Sequence, residues 1–254
     1  MARTQSTRPR WSAAGTTELN AAADPKYYLC EMVINSSKLP TLNPGDVHVW
    51  QIPLAGDPTP HIAVLSPAEL TRLERHRGVR RDRFAISHGA TRQVLGGYLG
   101  CPPRDVPLAC EYGQPPAVPT LQLSLSHADQ LAVLAIAPAP VGIDVESNAH
   151  ADDEDLEHLA DATLAPSELR AFAATAPEQR PAMWLRSWVR KEAAMKARGH
   201  GLGDQALCEL DVSGPRLREL ELVDLHVGPD HVAALASMQP IARVQIEEWV
   251  DGSS

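Results

Sequence analysis

Hydrophobic and polar positions change period along this chain, and the changes mark its elements. From Asp46, DVHVWQIPL alternates Val47 and Val49 with polar neighbours before Trp50 and Ile52, the two-residue period of a strand. Ser66-Pro67-Ala68-Glu69 opens a helix, with serine as N-cap, proline at the first helical position and glutamate at the third. A second helix is predicted from about Arg81 to Leu99, stopped by Gly100 and followed by a proline-rich connector from Pro102 to Pro119. Three apolar strands come next: LQLSLS (121–126), LAVLAIA (131–137) and VGIDVE (141–146). Another helix begins at Pro166-Ser167-Glu168, and a longer one runs from about Arg180 to Arg198 before Gly199. The tail reads as four strands, ALCELDV, LELVDLHV, HVAALAS and IARVQIEEW.

This order predicts an α+β fold of two similarly built α/β halves in one chain. Residues 45–139 form an N-terminal half and 140–250 a C-terminal half, joined near Pro138–Pro140. Residues 1–44, rich in Ala, Thr and Ser and without periodicity, read as a disordered extension.

Composition narrows the class. The chain has 254 residues, 44% hydrophobic and 22% charged, and a globular chain of that length buries roughly 70–75% of its unfolded surface. Its four cysteines form no CxxC pair, which argues against a zinc site or disulfide framework and for a reduced, cytoplasmic protein. The longest apolar run, Leu131 to Ile143, is interrupted by Pro138 and Pro140 and falls short of the ~20 residues a membrane span needs. A net charge of -9 excludes general nucleic-acid binding. Yet seven arginines (72, 75, 77, 80, 81, 83 and 92) crowd one stretch against only Glu74 and Asp82. That cluster is either a solvated helix face or a site for a phosphorylated ligand or acidic partner.

Candidate chemistry lies in two places. In the strand VGIDVE, Val141, Ile143 and Val145 face one way, while Asp144 and Glu146 face the other beside Gly142. Adjacent carboxylates repel unless a cation separates them, and oxygen ligands at this spacing suit Mg²⁺ or Mn²⁺. On the helix from 180 to 198, a 100° wheel puts Trp184, Trp188 and Met195 within about 40° of one another, and Leu185 and Val189 extend this apolar arc to about 140°. Lys191, Glu192 and Lys196 fall inside that apolar arc and Arg186 and Arg190 outside it, so the buried face opens on a polar cleft. The arginine-rich helix repeats the pattern, with His88 and Arg92 inside an apolar arc of Phe84, Leu95, Tyr98 and Leu99. An arginine there requires a buried anionic partner. Ser124-Leu125-Ser126-His127 lacks a nucleophile-elbow pattern, so serine catalysis is disfavoured. Carboxylates, a lysine on the helix of a third carboxylate and a separate arginine cluster together suit phosphoryl chemistry.

These motifs resemble the 4′-phosphopantetheinyl transferases of the surfactin-synthetase-activating type, over nearly all of residues 46–245. VGIDVE (141–146) and the run from Trp188 through Lys191-Glu192, Lys196 and Gly199 carry the resemblance. DVHVWQIPL, Arg83-Phe84, YGQP (112–115) and LSLSH (123–127) support it. The resemblance implies transfer of the 4′-phosphopantetheine group of coenzyme A to a serine of an apo acyl or peptidyl carrier protein, releasing 3′,5′-ADP. It implies coenzyme A between the halves and Mg²⁺, or Mn²⁺, on Asp144, Glu146 and Glu192. Glu192 and Lys196 are then the catalytic pair. Arg75, Arg83, Ser126, His127, Asp144, Lys191 and Lys196 are the coenzyme A-binding set, with Arg83 and His127 at the 3′-phosphoadenosine end. Acidic carrier proteins are the expected partners of a monomer, with no nucleic acid and no membrane. Two positions depart from the family pattern, Gln114 where a cation is usual and His88 where arginine is common. The alternative reading is a non-catalytic module that binds coenzyme A or a carrier protein.

Overall fold

The computed structural model describes residues 27–33, 39, 41–108, 117–151, 155–199 and 207–250. Two sheets lie face to face, each backed by one long helix. The first half contains strands β1 (Tyr27–Val33) and β2 (Asp46–Pro53) and helices α1 (Thr59–Ile62), α2 (Pro67–Leu73) and α3 (Gly78–Leu99). Strands β3 (Ala117–Val118), β4 (Leu121–Ala128) and β5 (Leu131–Ala137) complete it. The second half begins with β6 (Val141–Ser147), followed by helices α4 (Leu156–Thr163), α5 (Pro166–Ala174) and α6 (Arg180–Ala197). It ends with β7 (Arg216–Leu217), β8 (Leu220–Leu225), β9 (His231–Ser237) and β10 (Arg243–Glu248).

Sheet order exposes the duplication. The first sheet runs β1-β10-β2-β5-β4-β3 and the second β6-β9-β8-β7, so β2-β5-β4-β3 and β6-β9-β8-β7 repeat one topology. Every pairing inside each four-strand set is antiparallel. The α+β reading with two related halves therefore holds.

Alternation decides which face of each strand is buried where. Val47, Val49, Val133, Ala135, Val141, Ile143, Val145, Val223 and Leu235 form the core between the sheets. Trp50, Ile52, Leu134 and Ile136 face the other way and pack on Ile86, Ala90, Val94 and Leu95 of α3. In the second half Val189, Ala193, Ala194 and Met195 of α6 cover Leu222, Ala234 and Ala236. Gly142 lets α6 lie directly on β6, because a Cβ there would overlap the Ala193 carbonyl and the Ala197 amide.

Several sequence expectations change. Within the segment read as an extension, Tyr27–Val33 add an edge strand parallel to β10. Its sequence YYLCEMV lacks the alternation that marks a half-exposed strand. β10 continues the chain of the second half but pairs in parallel with β2 in the first sheet. ALCELDV is not a strand: Leu207–Glu209 form a 3-10 turn. Helix α4 is not among the helices predicted above. The YGQP segment with Gln114 lies outside the described residues. Among those described, no helix is long and apolar enough to cross a membrane, and Cys101 and Cys208 are free thiols.

Candidate active site

The site forms where β4 of the first sheet meets β6 of the second and α6 crosses both. A hydroxyl stitches the two strands: the Ile143 amide donates to Ser124 Oγ at 3.0 Å. Two residues along, Ser126 Oγ donates to Asp144 Oδ1 at 2.8 Å. Lys196, near the end of α6, closes the triangle. Its Nζ lies 2.6 Å from Asp144 Oδ1 and 3.1 Å from Ser126 Oγ. Because Asp144 is buried, this ion pair works against a weaker dielectric than water provides.

Asp144 is nevertheless half-satisfied. Its second oxygen, Oδ2, is buried with no hydrogen-bond partner. Beside it Glu192 is buried, and its carboxyl is pushed up to about 7. Desolvation is the main cause, the charge of Asp144 comes next, Lys196 acts in the opposite direction, and Glu146 adds to the rise. Three carboxylates thus share one electrostatic neighbourhood. They do not form a closed shell: among the described residues no three His, Cys, Asp or Glu side chains are arranged to hold a metal ion. The donor chemistry fits a divalent cation all the same. An unpartnered buried carboxylate oxygen and a carboxyl raised by like charges both gain from positive charge.

Across the cleft, His127 is exposed at the end of β4. Its pKa lies below the ordinary imidazole range, through desolvation first and then the charges of Lys196, His88 and Arg83, with Asp144 opposing. Lys196, the end of β4 and α3 thus lie close enough for their charges to act on one imidazole. Arg83 is half-buried, with a buried Nε that has no partner. His88 stacks on Phe84 with ring centroids 4.1 Å apart and puts Nδ1 3.5 Å from Glu69 Oε1. Arg75 is exposed.

Two helix-wheel expectations resolve differently. Arg92 finds its buried anion in Glu69, at 2.5 Å. Lys191, by contrast, is not in the cleft. It is fully buried, 2.6 Å from Glu168 Oε2, and donates to the carbonyls of Leu207 and Leu210. Arg190, placed outside the apolar arc by the wheel, is buried too, held by Asp224 and by the carbonyls of Val212 and Gly214. A wheel identifies the buried face but not the loop that packs over it. The sequence gives no role to Ser124 and marks Glu69 and Glu168 only as helix-start residues. Those two glutamates are legible as a pair, since SPAEL (66–70) and APSEL (165–169) are variants of one helix start.

A two-halved α+β fold carries an acid-and-lysine cluster at the junction of its sheets, and similarity to known proteins identifies the class. The family described as the 4′-phosphopantetheinyl transferase superfamily matches residues 140–244. The chain is 32% identical over 214 residues to the 4′-phosphopantetheinyl transferase HetI of Nostoc sp., covering 77% of this chain and 89% of that protein. It is 30% identical over 161 residues to a 4′-phosphopantetheinyl transferase of Bacillus subtilis, covering 57% of this chain and 68% of that one. The chain belongs to the 4′-phosphopantetheinyl transferase superfamily.

Proposed function

We propose that this chain transfers the 4′-phosphopantetheine group of coenzyme A to a serine of an apo carrier protein, releasing 3′,5′-ADP, at the β4–β6–α6 junction. The observation that carries the reading is the Lys196–Asp144–Ser126 triangle next to a Glu192 carboxyl near pH 7. In this reaction the serine hydroxyl oxygen attacks the β-phosphorus, and the bond from that phosphorus to the bridging oxygen of the pyrophosphate breaks. Electrons leave on 3′,5′-ADP and the hydroxyl proton goes to a base.

Glu192 suits the base. Without a cation its carboxyl lies near 7, and a bound divalent ion would keep it ionised and able to accept the hydroxyl proton. Lys196, anchored by Asp144, is placed where negative charge builds on the departing phosphate. Asp144, Glu146 and Glu192 would hold Mg²⁺ or Mn²⁺, which would neutralise the pyrophosphate when bound. Arg83 and His127 would contact the 3′-phosphoadenosine end, with Ser126 beside them and Arg75 on the open rim. Exposed Arg75, Arg77 and Arg80 suit an acidic acyl or peptidyl carrier domain.

Incubation with coenzyme A, Mg²⁺ and a panel of apo carrier domains tests the reading by mass spectrometry. Carriers gaining one phosphopantetheine support it. Coenzyme A binding without any carrier modification points instead to the non-catalytic module.

A further inference from the structure

The two halves share an internal device. Glu69 and Glu168 each occupy the third position of a short helix and accept from the backbone amide at its start, Ser66 and Ala165, both at 2.8 Å. A cation on the long helix, 23 residues further on in each half, then meets the same carboxylate oxygen: Arg92 Nε at 2.5 Å and Lys191 Nζ at 2.6 Å. All four side chains are at most 2% exposed. Each cation also binds two carbonyls of the segment that follows its helix. Arg92 donates to Pro103 and Val106 at 3.2 and 3.1 Å, and Lys191 to Leu207 and Leu210 at 2.9 and 2.5 Å.

An ammonium group has three donors and no more. Glu168, Leu207 and Leu210 account for all three on Lys191, so none remains for a phosphate. The halves differ at the next residue. Gln93 follows Arg92 on α3, whereas Glu192 follows Lys191 on α6.

We infer that Lys191 is a positioning residue: its tie to Glu168 and the Leu207–Leu210 turn fixes the rotation of α6, so that Glu192 and Lys196 face β6. The inference rests on the transfer reaction proposed above for the consequences it draws at Glu192. Successive helix residues differ by about 100° in direction. A helix free to turn therefore carries Glu192 and Lys196 off target together, and misplacements of about 1 Å cost roughly 100-fold in rate.

Lys191→Met, Lys191→Arg and Glu168→Gln test it, each measured for kcat with a carrier, Kd for coenzyme A by calorimetry, and Tm with and without Mg²⁺–coenzyme A. In Lys191→Met, kcat falls roughly 100-fold and Tm by about 10 °C, because a buried carboxylate loses its cation, and any weakening of Kd accompanies that loss of Tm. Lys191→Arg retains most of the activity, since the other half already uses arginine there. Glu168→Gln lowers kcat although the lysine remains, and it carries the comparison should Lys191→Met fail to fold. A coenzyme A Kd weakened at least about ten-fold in Lys191→Met at unchanged Tm overturns the inference in favour of a phosphate contact. A lower Tm with unchanged kcat overturns it in favour of a purely structural tie. Should the wild type modify no carrier, the transfer reading fails by itself. The inference is then judged on the Mg²⁺–coenzyme A thermal shift, which is smaller in Lys191→Met and Glu168→Gln if it holds and unchanged if it does not.

Discussion

Lys196 Nζ sits 2.6 Å from Asp144 Oδ1, tying the last turn of α6 to the middle of β6. This pair joins the sequence's two most informative motifs at one point. It also leaves Asp144 Oδ2 buried and unpartnered beside a protonatable Glu192. The site is thus short of positive charge, even with a lysine in it.

Replacing Asp144 by alanine removes the anchor of both Lys196 and Ser126. Carrier modification is expected to fall at least about 1,000-fold, the scale seen when a positioned charge at a transition state is lost. The circular dichroism spectrum should stay the same, because no core contact is deleted. Rates from single-turnover mass spectrometry check this.

Glu192 gives the apo protein a defined pH dependence. Its folded-state carboxyl lies near 7, above the 4.5 of an unperturbed glutamate, so folding takes up a proton between those values. The associated stability is complete below about pH 4.5 and lost as pH rises through about 7, a swing of about 3 kcal/mol. Urea titrations of wild type against Glu192→Gln between pH 5 and pH 8 should show this slope only in the wild type. A divalent ion held by Glu192 must displace the same proton. Apparent Mg²⁺ affinity should therefore weaken on going from pH 8 to pH 6.

Gly142→Ala tests how β6 is set against α6. The added methyl meets backbone of Ala193 and Ala197, which no side-chain rotation can relieve. A loss of about 3 kcal/mol in urea unfolding is expected, with transfer activity reduced as Asp144 and Lys196 are pushed apart.

Away from the cleft, Glu247 is buried in the first sheet with Oε2 unpartnered, and its carboxyl is raised by burial, Gln245 opposing. A raised carboxyl carries stability that is present at low pH and lost as pH rises. Glu247→Gln should raise Tm at pH 8, with the gain shrinking as pH falls, as differential scanning fluorimetry across pH would show.

Much of this site was legible before any coordinates. Strict alternation in VGIDVE identifies the face of Asp144 and Glu146, and the wheel of α6 turns Glu192 and Lys196 toward a buried surface. The demand that Arg92 find a buried anion is met by Glu69. The same demand applied to Lys191 leads to Glu168, whereas resemblance alone puts Lys191 on phosphate. What stayed hidden depends on long-range pairing. Nothing local in YYLCEMV announces a parallel edge strand, because its register is supplied by β10 far along the chain. ALCELDV looks extended, but two of its carbonyls are turned onto Lys191 instead of into a ladder.

In the proposed reaction Asp144, Glu146 and Glu192 act together on one divalent ion beside Lys196. Anomalous diffraction from crystals grown with coenzyme A and Mn²⁺ tests it most directly. The expected result is a single Mn²⁺ peak contacted by all three carboxylates and the pyrophosphate. A pyrophosphate bound without Mn²⁺ at Asp144, or with Glu192 turned away from the ion, would contradict it.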